Sequence, residues 1–214
     1  GVSLLEASDR GLRPDYTIGD GGQALRAGQR AAWGEGIPCL GDVFHAERDL
    51  GTLAYYLENR AQGAVSARSG MERKMARAKR KRQQHRLATR MAQARAGEAK
   101  AVALARDVRT LSDWMQQDIL GAAGPDLATR RELFDYVVAE LRTRESMVPH
   151  RIGPVLRMLE HHRDRLLAFA GMLDERIADI AARTGVPVFL VHATCEMEGI
   201  DERSPGRWRR EVDL

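Results

Sequence analysis

Cysteine is scarce in this chain of 214 residues, since Cys39 and Cys195 are the only two. Two cysteines cannot build the disulfide network that holds a small secreted domain together, and free thiols in a reducing compartment are the expected state. The sequence also lacks any run of about 18 apolar residues, so we expect no transmembrane helix and no membrane partner. These absences predict a cytoplasmic protein.

Several site signatures are missing as well. No glycine-rich phosphate loop of the nucleotide-binding kind is present, and the histidines at 150, 161, 162 and 192 are expected to be surface or packed side chains rather than zinc ligands. Aromatic residues make up only 5% of the chain, but hydrophobic residues make up 43%, which is ordinary for a folded protein. The composition therefore excludes global disorder without indicating a cofactor.

Acidic residues are nearly absent from one segment. Residues 66–95 hold eleven Lys and Arg side chains and one acid, Glu72, for a local charge of +10. Because the whole chain carries +4, the remaining residues sum to −6. Such polarity predicts a polyanion partner, and few aromatics interleave to stack on single-stranded bases. As one helix, residues 70–95 would be about 39 Å long at roughly 1.5 Å per residue. The predicted DNA contacts are Arg73, Lys74, Arg77, Lys79, Arg80, Lys81, Arg82 and Arg86.

Residues 1–62 have an α/β pattern. A short strand is predicted over 15–19 and a helix over 23–33, which glycines follow. A second short strand is predicted over 37–40, and Asp42 is placed to cap the next helix. Alternation of strands and helices with short loops predicts a parallel or mixed sheet.

Residues 63–185 have helical patterns only. Residues 69–120 are predicted to form one long helix, or two helices broken near Gly97. A second helix is predicted over 127–144 with Asp126 as its cap. The second half of the first helix carries an apolar face made of Leu104, Val108, Leu111 and Met115.

Residues 156–180 show the clearest helical period. Eight positions recur three and four residues apart, and seven of these eight are apolar, which forms an apolar seam along the helix. An antiparallel helical hairpin inside the chain explains this seam best, and self-association through a dimer is the alternative. Gly185 is expected to end that helix. Residues 186–191 fit either a strand or, with Pro187 in a first turn, another helix.

Two short motifs have residues suited to chemistry. Asp20 follows an apolar strand and precedes two glycines, so its carboxylate would approach a metal or a phosphate closely. An ordinary Asp-Gly turn is the alternative. Asp42 and His45 are three residues apart at a helix start, so both side chains share a face. They would bind a metal or orient a substrate, or else serve as a cap and a packed histidine.

Together these motifs resemble the middle of a bacterial DDE-type transposase of the Mutator-like group, whose catalytic core is ribonuclease-H-like. In that resemblance Asp20 matches the second catalytic carboxylate and a metal ligand, while Asp42 and His45 match the signature that follows it. The implied fold is a partial ribonuclease-H-like α/β core followed by a large all-helical insertion, predominantly helical overall. The core would span 1–62, the insertion 63–185 with its basic segment 66–95, and a return segment with a charged tail 186–214.

The resemblance implies DNA strand cleavage and transfer by Mg²⁺ ions held by three carboxylates. No convincing first carboxylate precedes Asp20, and Glu196 and Glu198 lack the family's context for the third. We therefore expect both flanking carboxylates to lie outside these 214 residues, in which case the chain is a fragment that is inactive alone. The alternatives are a noncatalytic helical nucleic-acid-binding protein acting through 66–95 and a dimerisation module built on 156–180.

Overall fold

The protein is a bundle of helices with one small pair of strands. The computed structural model describes residues 4–19, 23–122 and 124–193, of which 82% are helical. The elements in chain order are α1 (Leu4–Asp9), β1 (Thr17–Gly19), α2 (Gln23–Trp33), β2 (Cys39–Gly41), α3 (Val43–Ala76), α4 (Lys81–Trp114), α5 (Leu127–Arg144), α6 (Pro149–Leu166) and α7 (Ala168–Thr184). A π-helical turn, Met115–Ile119, extends α4, and a 3₁₀ turn, Glu145–Met147, precedes α6.

The two strands pair in parallel, with Ile18 opposite Leu40. They form a two-stranded sheet of three residues each, and the described residues contain no further strand. The predicted ribonuclease-H-like α/β core is therefore wrong. A parallel sheet is stable when helices cover both of its faces. Ile18 and Leu40 share one face as register partners, and Leu40 is buried while Ile18 is 59% exposed. That face is therefore covered over β2 but not over β1, and most apolar burial occurs between helices.

Helices α3 and α4 form a long antiparallel hairpin. Ion pairs across it join Glu58 to Arg109 and Arg68 to Glu98, which sets the antiparallel register. We call residues 62–103 the arm, because they lie beyond Ala61 and Leu104, the members of the hydrophobic core on these helices that are nearest the reversal. The domain boundary that the resemblance implies between residues 62 and 63 would fall inside the continuous helix α3.

The chain reverses direction at residues 77–80, where the sequence predicted continuous helix. Gly97, the expected break, lies inside α4 instead. A glycine inside a helix costs only about 1 kcal/mol, which packing against a neighbouring helix readily offsets. The predicted 39 Å basic rod is folded back on itself.

The main core lies where α3, α4, α5 and α6 meet. The apolar face predicted on α4 is confirmed, since Leu104, Val108 and Leu111 are all buried there. Met115 continues that face into the π-helical turn. Fully buried side chains from the other helices complete the core, among them Leu50, Leu57, Phe134, Leu141, Ile152, Leu156 and Leu159.

Helix α5 has the bounds and the cap that the sequence predicts. Asp126 adopts an extended backbone, and its Oδ1 accepts a hydrogen bond of 2.8 Å from the backbone N–H of Thr129. This bond satisfies one of the N–H groups that a helix start leaves without a partner. Gly185 ends α7 in the left-handed conformation with φ of 71°, also as predicted.

The predicted helix over 156–180 is divided by Leu167. Leu166 and Leu167 are both buried, which adjacent residues on one straight helix achieve poorly because they point about 100° apart. The break turns both toward the core. Of the predicted seam, Leu156 and Leu159 are buried within the same chain. Residues 188–193 are helical, in agreement with the second of the two alternatives for that segment.

Candidate functional site

A dense group of exposed bases lies at the end of the arm. We call residues 73–90 the tip: they comprise the last turn of α3, the reversal and the first turns of α4. The tip holds nine Lys and Arg residues and no Asp or Glu. All nine are exposed, namely Arg73, Lys74, Arg77, Lys79, Arg80, Lys81, Arg82, Arg86 and Arg90.

Backbone contacts hold the reversal in place. Ala78 is buried, and its carbonyl accepts a hydrogen bond of 2.8 Å from Gln84 Nε2. The carbonyl of Arg80 accepts from the backbone N–H groups of Gln83 and Gln84 at 3.0 Å each. Because alanine, glutamine and main-chain groups make the turn, the basic side chains are not needed to close it. They are available to a partner.

Ion pairs neutralise the arm below the tip but not the tip itself. Arg68 is bonded to Glu72 and Glu98, and Arg95 lies 3.7 Å from Glu72. Within the part of the chain that the structure describes, no base of the tip forms an ion pair with a carboxylate. The charge is therefore concentrated at one end of the hairpin.

The positive charge of the tip is unfavourably placed at the N-terminus of α4. The N-terminus of an α-helix carries a partial positive charge, which favours acidic residues in the first turn. Helix α4 has no acid in its first turn and begins with Lys81 and Arg82, while Arg80 occupies the cap position without a side-chain cap bond. This arrangement costs stability in the free protein, and a bound anion would remove the cost.

Asp42 and His45 come together as the sequence suggests. Asp42 Oδ2 lies 2.8 Å from His45 Nδ1, and Asp42 Oδ1 accepts a hydrogen bond of 2.9 Å from the backbone N–H of Phe44. Asp42 thus caps α3, and both of its carboxylate oxygens are engaged within the chain. The pair can orient the imidazole of His45, which remains partly exposed.

The residues that the structure describes do not fit a magnesium site. No group of three or more His, Cys, Asp or Glu side chains that could hold a metal occurs within 4–19, 23–122 and 124–193. Asp20, the predicted metal ligand, and the candidates Glu196 and Glu198 lie outside the described residues. Among the described residues, no second carboxylate joins Asp42 and His45 to hold an ion with them.

Sequence reasoning missed Arg130, a buried guanidinium in α5. Arg130 donates hydrogen bonds to the carbonyls of Ile119, Gly121 and Pro125 at 2.6–2.7 Å. These carbonyls belong to the end of the π-helical turn and the loop after it, where backbone acceptors lack helical partners. No sequence signal distinguishes Arg130 from exposed neighbours such as Arg131.

Comparison with known proteins supplies no relative. No family model, curated protein or solved structure matches the chain. In the described ranges, no helix is both long enough and apolar enough to cross a membrane. The function is accordingly inferred from the tip and from Asp20 and Asp42, which directly follow β1 and β2 in the sequence.

Proposed function

We propose that the protein binds double-stranded DNA through the phosphate backbone, using the tip of the arm. The observation that carries this proposal is the group of nine exposed bases without a carboxylate partner among the described residues. Duplex DNA presents one negative charge per ~1.7 Å of its axis, so a compact cationic end neutralises several phosphates at once.

The chemistry of the tip favours phosphate contacts over base recognition. Residues 73–90 contain no Phe, Trp or Tyr, so they offer no aromatic surface on which unpaired bases would stack. Phosphate contacts hold a protein on the duplex without reading its sequence. Binding should therefore depend little on sequence and strongly on salt.

A charge-matched pair of variants tests this proposal. The tip variant carries Lys79→Gln, Arg80→Gln, Lys81→Gln and Arg82→Gln, and the control carries Arg60→Gln, Arg106→Gln, Arg131→Gln and Arg176→Gln at exposed positions elsewhere. Fluorescence anisotropy with a labelled duplex is measured over a salt series. We expect the slope of log affinity against log salt to fall by about 3–4 in the tip variant, at roughly 0.9 per phosphate contact.

Equal losses in both variants would contradict the proposal, because the effect would then follow net charge alone. Salt-independent binding would contradict it as well. Competition with duplex RNA and with single-stranded RNA of equal length checks the choice of DNA. Stronger displacement by either RNA would mean that RNA is the partner.

A second candidate function is that of a segment of a DDE-type transposase, acting in DNA cleavage and transfer. The parallel pairing of β1 and β2 supports it, because the carboxyl ends of parallel strands share one edge. Asp20 directly follows β1 in the sequence, and Asp42 directly follows β2. The described residues complete no metal site, so no catalytic step is assigned to them.

Sequencing the genomic DNA on both sides of the coding segment tests the second candidate. We expect an open frame that continues in both directions and encodes an Asp after an apolar strand upstream and a helix-opening Glu downstream. A frame that starts and stops at the limits of these 214 residues would contradict it. Binding by the tip is unaffected by either result.

A further inference from the structure

A cavity of about 230 Å³ lies between α2, β2 and the last turn of α6. Arg26 and Arg30 are one turn apart on α2 and line it from one side, while Arg165 of α6 lines it from another. Cys39 of β2 forms part of the wall. Three arginines from two helices therefore line one small space, at the opposite end of α3 from the tip.

Two buried polar atoms at this cavity have no partner. Gln29 is only 8% exposed, and its Oε1 accepts no hydrogen bond. Arg165 Nε is also inaccessible and donates to nothing. A buried polar group without a partner costs about 1–3 kcal/mol, so both side chains would gain a partner by turning toward an anion in the cavity.

The charge of the cavity is positive. Glu35 is the one acid among its lining residues, and it lies 3.6 Å from Arg30. Neither Arg26 nor Arg165 has a carboxylate partner among the described residues. Arg165 Nη1 instead lies 3.5 Å from His162 Nδ1. Burial lowers the pKa of His162, and the positive charges of His161, Arg165 and Arg26 lower it further.

We propose that this cavity binds a phosphate group. The guanidinium of Arg165 would hold the anion from the inner side, and Arg26 would close over it from the exposed side. Rotation of the Gln29 amide by half a turn exchanges its oxygen for the Nε2 donor, which suits an anion. Guanidinium groups bind phosphate oxygens in pairs, and such charge-assisted bonds are the strong ones.

Protection of Cys39 from alkylation measures this binding directly. The thiol lines the cavity, and Arg165 Nη2 lies 3.9 Å from its Sγ. The protein carries Cys195→Ser so that only Cys39 reacts, and the rate with iodoacetamide is followed against inorganic phosphate at constant ionic strength. We expect phosphate to slow the reaction in a saturable way and chloride to have no effect.

Variants on the exposed side of the cavity make the test specific. Arg26→Gln is expected to weaken phosphate binding about tenfold, the effect of losing one charged hydrogen bond. The control is Arg48→Gln on α3, an exposed base paired with Asp49 and absent from the cavity wall. Unchanged protection in Arg26→Gln, or no protection by phosphate at all, would overturn the proposal.

A second readout and a second probe complete the experiment. Bound phosphate should raise the pKa of His162, which NMR titration of its ring protons detects even if the alkylation rate is insensitive. A short DNA duplex, added to the tip variant, tests whether the phosphate is that of a nucleic-acid backbone. Protection by the duplex assigns it to DNA, and protection by inorganic phosphate alone assigns it to a free anion.

Discussion

Arg109 on α4 donates a hydrogen bond of 2.7 Å from its Nε to Glu58 Oε1 on α3, at the base of the arm. This hydrogen bond is the main reason that the pKa of Glu58 lies below its ordinary value. It is also the main reason that the pKa of Arg109 is raised. The bond lies next to the core residues Leu57 and Val108, where the arm joins the bundle.

This pair should make a small, pH-dependent contribution to stability. A lowered carboxyl pKa stabilises the fold at pH values above the unfolded pKa, and the contribution is lost as the pH falls through the folded pKa. Because both side chains are partly exposed, Glu58→Gln should cost less than about 1 kcal/mol at neutral pH. Urea denaturation at neutral and acidic pH measures it, and a difference between wild type and variant that grows in acid would contradict the assignment.

The cap of α5 should be worth more than a surface ion pair. Asp126→Ala removes the acceptor for the Thr129 N–H and should lower the free energy of unfolding by about 1 kcal/mol. The backbone bond to Thr129 is the main cause that lowers the pKa of Asp126, so its contribution also disappears as the pH falls in the acidic range. Asp126→Asn retains an acceptor and serves as the control. Equal losses in both variants at neutral pH would exclude capping as the cause.

Removal of the Arg130 guanidinium should be far more damaging than its position on a helix suggests. Arg130→Met leaves the carbonyls of Ile119, Gly121 and Pro125 without these donors, at an expected cost of about 3 kcal/mol or more. Arg131→Met, at the exposed neighbouring position, should change stability by less than about 0.5 kcal/mol. Thermal and urea unfolding of the two variants compare them directly, and similar values would refute this role for Arg130.

The arm should open locally before the bundle unfolds. Ala78 and Met91 are the fully buried hydrophobic residues among its members, and the ion pairs Arg68–Glu98 and Arg95–Glu72 also join its two helices. Amide hydrogen exchange should therefore be faster over 62–103 than in the core helices. Arg68→Gln should accelerate it further, whereas Arg90→Gln, which removes an unpaired base, should not. Uniform exchange rates along α3 would show that the arm is as stable as the core.

Local signals in the sequence predict the parts of the fold that local interactions determine. The Asp126 cap sets the start of α5, and the spacing of Leu104, Val108 and Leu111 sets the buried face of α4, because each depends on neighbours within one or two turns. The reversal at 77–80 and the break at Leu167 depend on which helix lies opposite, and a single sequence does not contain that information.

The candidate sites follow the same division. A run of bases is visible in the sequence, so the charged surface could be predicted while its shape as a hairpin end could not. Asp42 and His45 are three residues apart and were expected to meet. Arg26 and Arg165 are far apart in the chain and meet only because α6 packs on β2, so their cavity has no sequence signature.

The uninterrupted length of α3 has a mechanical consequence. Its 34 residues contain no proline, and at roughly 1.5 Å per residue they form a rod about 51 Å long. The rod is anchored in the core at one end and carries the charged tip at the other. A rotation of about 10° at Val43 would therefore move the tip by about 9 Å, so a slight tilt within the bundle becomes a displacement of several phosphate spacings.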